Sequence, residues 1–327
     1  MSAPEANEFA LVFAGDERYA RGIAVAMHST LSHLSAAFRP EIYVLGNDLS
    51  ESSRVRLLKV VKAVSRSDEL RWMQIPSERF GHLATINHLT PAAYTRLLIP
   101  EIVSRHIRRA VYLDADVMVR RDLSPLFTIE LGDALVGGVR DFAITSTDHD
   151  WSGVRDRAHP TPYFNTGVLV MDLARWRSMG LAERALQYAA ADGEPLPWAD
   201  QDALNAVVES WHELDYQWNV QLNLFLAERP PPTNFTDRLY DQRWCIYRAG
   251  AILHFTGPPK PWSPWRTTPG TMSWVRTLMR TGWYSRREGL IWLIRWLGNR
   301  ARSWLGATRR RWRAALIHRS SPASTPE

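Results

Sequence analysis

Short, almost wholly apolar runs recur along this chain and alternate with longer segments whose apolar residues return every three or four positions. The short runs read as strands of a sheet buried on both faces, because the period-two alternation of a half-exposed strand is mostly missing. Residues 9–14, 109–113, 134–139, 164–171 and 251–255 are of this kind, and residues 41–46 and 70–75 are weaker examples. The longer segments predict helices. Residues 21–34 carry Ile23, Val25, Met27 and Leu31 as an apolar face, and residues 50–65 carry Val55, Leu58, Val61 and Val64. Residues 94–99 (closed by Pro100), 181–191 and 200–209 complete the helical set. Such alternation implies βαβ units, hence an α/β fold with a Rossmann-like, mostly parallel central sheet flanked by helices. Residues 143–162 read as a polar loop of a length usually tied to function, and residues 229–232, Arg-Pro-Pro-Pro, as a rigid connector. From Ser263 the character turns to Trp, Arg and Thr. The pattern therefore divides into residues 1–265, 266–319 and a small polar tail, 320–327, expected to be disordered.

One polar interruption falls where a strand should end. Val111, Tyr112 and Leu113 run directly into Asp114-Ala115-Asp116. Two carboxylates there are costly to bury unless cations meet them. In open α/β sheets ligands bind at the carboxyl ends of strands. Two residues apart in an extended segment, both side chains point the same way. Two hard oxygen ligands on one face suit Mg²⁺ or Mn²⁺, which also bind phosphates.

Four further segments carry candidate chemistry. In residues 11–19 a strand opens into Ala14-Gly15-Asp16, where the carboxylate can accept from a base or ribose, or else cap a helix. At Asn165-Thr166-Gly167 the glycine permits close approach, and the amide can bridge sugar hydroxyls or satisfy local backbone. Asp200, Gln201 and Asp202 cluster at a helix start, where the acids are expected for capping but the glutamine is not. In residues 252–262 His254 ends a strand and Gly257 and Lys260 follow. A histidine can complete a metal site begun by two aspartates, while a glycine amide and a lysine can hold a diphosphate.

Composition narrows the class. The chain has 327 residues, 45% hydrophobic and 23% charged, with a single cysteine, Cys245, so no intrachain disulfide can form. The polar, acidic start lacks the features of a secretion signal, and no apolar run reaches the roughly 20 residues of a membrane span. A cytoplasmic protein is expected. The net charge of +6 is uneven, because residues 276–319 hold 12 Arg, no Lys and one acid, Glu288. The remainder is mildly acidic, which excludes a nucleic-acid-binding core and points to a basic appendage. At helical spacing Leu293, Leu297, Ala301, Trp304, Leu305, Trp312 and Leu316 share one face, and Arg295, Arg302, Arg309 and Arg313 another. That is the pattern of a helix lying in an anionic membrane interface, with Gly298 and Gly306 as expected breaks.

Taken together, Tyr-Leu-Asp-x-Asp at 112–116, Phe-Asn-x-Gly-Val at 164–168, Asp-Gln-Asp at 200–202 and His-x-x-Gly-x-x-Lys-Pro-Trp at 254–262 resemble glycosyltransferase family 8. These are retaining enzymes of the GT-A fold, and the likeness is to its bacterial lipopolysaccharide and lipooligosaccharide galactosyl- and glucosyltransferases. It runs from about Phe9 to Trp265. The resemblance implies a UDP-sugar donor, UDP-galactose or UDP-glucose, with Mn²⁺ or Mg²⁺ as cofactor and a glycan or glycolipid acceptor. By motif matching Asp114, Asp116 and His254 would ligate the metal. Asp16 and the Ala14 backbone would hold the uracil, and Gly257, Lys260 and His88 the diphosphate. Arg96, Asn165, Asp200 and Gln201 would surround the donor sugar, with Thr166 tuning donor choice and Gln201 and Asp200 as the catalytic pair. Residues 220–245 match only loosely, and acceptor specificity is expected there. Together with the basic helix this implies a transferase at the inner face of a membrane. Two other classes fit the residues less well. A sugar nucleotidylyltransferase would need a Gly-rich, Arg-Lys loop, and residues 14–19 hold one Gly and no Lys. A non-catalytic glycan-binding scaffold would not need the intact Asp pair, His254 and Lys260.

Overall fold

A computed structural model describes residues 8–64, 70–76, 80, 83, 91–145, 162–193, 195–227 and 236–319, with side chains of the last helix through Arg302. Among the described residues the strands are β1 (Phe9–Asp16), β2 (Glu41–Asn47), β3 (Leu70–Gln74), β4 (Arg109–Asp114), β5 (Val117–Val119), β6 (Val136–Arg140), β7 (Phe164–Asp172), β8 (His212–Glu213), β9 (Val220–Gln221) and β10 (Ile252–His254). Seven form one sheet in the order β3-β2-β1-β4-β7-β6-β8, and β5, β10 and β9 form a second. From β3 to β4 every pairing is parallel, whereas β7 runs antiparallel to both β4 and β6. The mostly parallel α/β sheet inferred from the sequence is present. Its strands split by alternate residues into two cores: Phe9, Leu11 and Phe13 face one layer, and Ala10, Val12 and Ala14 the other.

Helix α1 (Ala20–His33) is buried on more than the expected stripe. Gly22, Ala24, Ala26, Ser29 and Thr30 are buried along with Ile23, Val25 and Met27. These small residues let α1 lie between the sheet and later elements, touching β5 as well as the C-terminal layer. The buried Ser29 Oγ donates to the Ala26 carbonyl (3.1 Å) and accepts from the Val119 amide (3.0 Å), so that hydroxyl is satisfied in both roles. Helix α2 (Glu51–Val64) turns a different face inward than its apolar residues suggested. Ser53, Leu57, Val60 and Val61 are buried, while Val55 is 42% exposed. An i, i+4, i+7, i+8 stripe meets the neighbouring layer continuously, and Val55 lies off it. Pro100 also corrects the sequence reading. A 3₁₀ segment, Pro91–Leu98, leads into a short helix, Ile99–Ile102, and Pro100 sits in that helix's first turn, where a missing N–H costs nothing.

Three more helices, α3 (Leu181–Ala190), α4 (Asp200–Val207) and α5 (Thr236–Ala249), follow, then α6 (Thr271–Arg280) and α7 (Arg286–Arg319). The main core runs on past residue 265: Trp274, Val275, Leu278, Trp283 and Trp296 are buried in the same cluster as Phe13 and Leu113. Helix α7 is continuous through Gly298 and Gly306, where breaks were expected. Its first turns are fixed by packing. Trp292 stacks between Tyr284 (5.8 Å) and Trp296 (6.2 Å), and Arg300 donates to the Pro264 carbonyl at 3.3 Å. Leu293 packs on the core, whereas Leu297 is exposed, so the two do not share a solvent face. The polar loop's residues 146–161, the connector 229–232 and the tail 320–327 lie outside the described residues.

Gly22 sets how closely α1 approaches the Asp-Ala-Asp turn. A Cβ there would lie 2.4 Å from the Ala115 carbonyl oxygen and 2.9 Å from the Trp262 ring. Gly22→Ala is expected to lower unfolding free energy by about 1–3 kcal/mol, read by urea denaturation.

Candidate active site

The site forms where β4 and β10 end and the antiparallel β7 begins. Strand β4 stops at Asp114, the chain turns through Ala115, and Asp116 enters β5. In the small sheet His254 pairs with Val117, which sets the imidazole beside Asp116. Ligand atoms of Asp114, Asp116 and His254 all lie within 4.8 Å of one another. His254 Nε2 is 3.3 Å from Asp116 Oδ1 and 3.7 Å from Asp114 Oδ2. The sequence expected the two aspartates to share a face of one strand. A turn joins them instead, and the same convergence results.

The space for this cluster comes from β7. A Cβ on Gly167 would lie 2.1 Å from His254 Cε1 and 2.9 Å from Asp114 Oδ2. Only glycine leaves room there for the imidazole and the carboxylate. Two carboxylates and one imidazole around a cleared space fit a divalent cation such as Mn²⁺ or Mg²⁺.

Cations answer the buried carboxylates. Lys260 Nζ lies 2.5 Å from Asp116 Oδ2. Burial acts to raise the Asp116 pKa, but the opposing influences, Lys260 foremost, hold the carboxyl well below the usual carboxylate range. Burial likewise opposes the charge on Lys260, and Asp116 more than restores it. Arg96 bridges the other side: Nη2 is 3.0 Å from Asp114 Oδ1 and Nε is 2.8 Å from Asp200 Oδ2. Its Nη1 donates to the Thr166 carbonyl (2.7 Å) and Oγ1 (3.0 Å), and its plane lies over the Tyr112 ring at 4.8 Å. Tyr112 also donates to Asp114 Oδ1 at 2.6 Å. Asp200 is pushed up to about 7, chiefly by burial, with Arg96 pulling down and the Asp114 charge pushing up.

The acidic start of α4 divides by role. Asp202 is structural, accepting from the Tyr163 hydroxyl (2.6 Å) and the Trp198 amide (2.8 Å). Asp200 and Gln201 line the cleft. Gln201 Oε1 accepts the Thr166 amide at 3.0 Å and Nε2 donates to Asp141 Oδ2 at 3.3 Å, so both ends of the side chain are held. Asn165 is held as well. Its Oδ1 accepts from the Gly167 amide (3.0 Å) and Asn219 Nδ2 (2.9 Å), and its Nδ2 donates to Asp141 Oδ2 (2.9 Å). Asp16 accepts from the Arg18 amide (2.9 Å) and guanidinium (2.6 Å), so it caps its turn while lining the cleft with Ala14. Gly257, at φ +68°, lines the same cleft beside Lys260. His88 lies outside the described residues.

The sequence reading passed over Asp141, Asn219 and Trp198. Asp141 follows directly on β6, the strand-end position that singled out Asp114, so the same rule could have found it. Trp198 stands two residues before Asp200 and is 45% exposed on the cleft wall. Asn219, fully buried between Trp218 and Val220, carries no signal in the sequence.

Gly167→Ala is expected to lower Mn²⁺ affinity at least tenfold while leaving the circular dichroism spectrum intact. Titration followed by electron paramagnetic resonance of free Mn²⁺ measures it.

Comparison with known proteins agrees with this geometry. The sequence profile of glycosyl transferase family 8 matches residues 10–266. General stress protein A of Bacillus subtilis is 26% identical over 277 residues, covering 84% of this chain and 94% of its own. Lipopolysaccharide 1,2-glucosyltransferase of Escherichia coli is 24% identical over 278 residues, covering 82% of this chain and 77% of its own. Among solved structures, the galactosyltransferase LgtC in complex with donor and acceptor sugar analogues superposes with a TM-score of 0.70 at 25% identity, covering 85% of this chain and 98% of that one. The GT-A architecture, the metal-ligand cluster and the profile match over most of the chain lead to one conclusion: this protein belongs to glycosyl transferase family 8.

Proposed function

We propose that this enzyme transfers galactose or glucose from a UDP-sugar to a saccharide acceptor on a lipid-linked or cell-surface glycan, of the lipopolysaccharide or lipooligosaccharide kind, with retention at the anomeric carbon. The observation that carries the reading is the Asp114, Asp116 and His254 cluster, flanked by Lys260 on one side and Arg96 and Asp200 on the other. A relative named for glucosyl transfer to lipopolysaccharide and a structural neighbour holding donor and acceptor sugar analogues support it. Bound by those three residues, Mn²⁺ (or Mg²⁺) supplies Lewis-acid neutralisation of the diphosphate leaving group. Lys260, beside Asp116, and the Gly257 amide would hold the diphosphate and answer the negative charge that develops on it. Asp16 and the Ala14 backbone hold the base. Asp200, fixed by Arg96, takes sugar hydroxyls, with Thr166 beside it.

Gln201 decides the form of retention. A retaining glycosidase uses a free carboxylate as nucleophile. Here the side chain is an amide whose oxygen already accepts the Thr166 N–H and whose nitrogen is held by Asp141. That arrangement supports attack on the face the leaving group departs, with Gln201 stabilising the cationic sugar and the leaving diphosphate accepting the acceptor's proton.

The C-terminal helix supports residence at an anionic membrane surface. No helix among the described residues is long and apolar enough to cross a membrane. Leu290 and Ile294 are 60% and 61% exposed on α7, with Ile291 and Leu297 beside them and Arg287, Arg295 and Arg302 exposed on the same helix. Apolar side chains flanked by arginines fit the inner leaflet's anionic headgroups, each basic residue contributing about 1 kcal/mol.

Two measurements test these readings. Purified protein with Mn²⁺ and each of UDP-galactose, UDP-glucose, UDP-N-acetylglucosamine and UDP-glucuronate should release UDP slowly from one of the first two without acceptor. Asp114→Ala should cut that rate by about 10³-fold, the equivalent of about 4 kcal/mol. Release from none, with no UDP binding by calorimetry, would leave the scaffold reading. Separately, Leu290→Asp with Ile294→Asp should abolish sedimentation with phosphatidylglycerol vesicles while acceptor-free UDP release continues.

A further inference from the structure

Four buried groups in line behind the metal-ligand cluster have a hydrogen-bond polarity that permits only one arrangement. The Gly167 amide can only donate, so the atom 3.0 Å from it is the Asn165 carbonyl oxygen. The Asn165 NH₂ then faces Asp141 Oδ2 at 2.9 Å, an acceptor, as it must. Asn165 Oδ1 is also 2.9 Å from the Asn219 side chain, so Asn219 presents its NH₂ there. Its oxygen is left facing His254 Nδ1 at 2.9 Å. An amide oxygen only accepts, so Nδ1 must carry the proton. The neutral ring then has its lone pair on Nε2, the nitrogen 3.3 Å from Asp116 Oδ1 and 3.7 Å from Asp114 Oδ2. Asn219 is fully buried, and Asn165 and His254 are 7% and 3% exposed, so bulk water has little access to replace any link. Reversing Asn165 sets like groups against each other at Gly167, Asn219 and Asp141, and reversing Asn219 sets its oxygen against the Asn165 oxygen.

We infer that Asn219, aligned by Asn165 and the Gly167 amide, is a positioning residue that fixes His254 in the Nδ1–H tautomer and so reserves Nε2 for a divalent cation. A metal-bound histidine needs its other nitrogen to hold the ring and choose the tautomer. Here a side-chain amide does this, and its polarity is set by a backbone N–H of the glycine that also clears room for the site. The two functions of Gly167, space and polarity, come from one residue. Nothing in the local sequence of Asn219 announces the role. The inference rests on the metal-dependent reading, but the tautomer exists without metal and is read without it.

The test uses the full chain labelled with ¹⁵N-histidine, without metal, in mildly alkaline buffer. Long-range ¹H–¹⁵N correlation spectra distinguish the two neutral tautomers, and loss of one set of signals in His254→Gln assigns His254. The wild type should show Nδ1 protonated and Nε2 bare. Asn219→Ala should populate the other tautomer and weaken Mn²⁺ binding by about 10–100-fold, followed by electron paramagnetic resonance. Asn219→Asp keeps an acceptor against Nδ1–H, so it should keep the tautomer and bind Mn²⁺ more tightly than the alanine variant, even if its melting temperature falls. A merely structural role would lower the melting temperature in both variants and leave the tautomer alone. An Nε2–H tautomer in the wild type would overturn the inference. So would a folded Asn219→Ala with unchanged tautomer and Mn²⁺ affinity. If the alanine variant does not fold, the wild-type tautomer and Asn219→Asp still decide. A wild type with the expected tautomer that binds no Mn²⁺ supports the relay and counts against the metal-dependent function.

Discussion

Two carboxylates held together away from water are the constraint around which this molecule is arranged. Asp114 and Asp116 stand two residues apart at the end of the central strand, and the second is 4% exposed. Such a pair is stable only where positive charge or a cation answers it. The chain brings that charge from distant points: Arg96 from the 3₁₀ segment and Lys260 from the turn after the small sheet, with the His254 imidazole set beside them. The same constraint explains two glycines. Gly22 lets α1 approach the turn carrying the pair, and Gly167 clears the room the imidazole occupies.

A polar network behind that cluster makes the arrangement specific. Asp141 collects the amides of Asn165 and Gln201, Asn165 orients Asn219, and Asn219 orients His254. Buried polar networks of this kind are costly if one member is unpaired and rigid when all are satisfied. Rigidity suits a transferase, whose groups must be aimed before the sugar's charge develops. Asp200 belongs to the same economy of burial: its carboxyl is pushed up toward neutrality by its surroundings and drawn back by Arg96.

The C-terminal segment shows where composition and packing part. Its arginines and tryptophans read as a separate appendage beginning near residue 266. Trp274, Trp283 and Trp296 instead close the main core, because large aromatic surfaces reached by a returning chain are buried wherever a hydrophobic layer is open. Among the described residues of α7, Leu290, Ile291, Ile294 and Leu297 are apolar and exposed, a stripe beside the buried one. The sequence assigned Leu293 and Leu297 to one face, since helical spacing fixes angular neighbours but not which side meets the protein.

Much of the fold was legible because it depends on local pattern. Apolar runs marked β1, β4, β7 and β10, periodicity marked α1 and α3, and the polar break after β4 marked the metal pair. The motif set also carried the family, which the profile match bears out. What stayed hidden depends on which segments meet. The direction of β7, the inward face of α2, the place of Pro100 within a helical turn and the strand-free turn between the aspartates follow from packing, which no local window contains. Asn219 is the clearest case. Its identity matters only because β9 is paired with β10 and Asn165 lies across from it, a contact between residues 54 apart in the chain. Sequence determined the chemistry available and the strand ends that could hold it. Tertiary structure decided which polar atoms face one another, because hydrogen-bond polarity is set by neighbours in space.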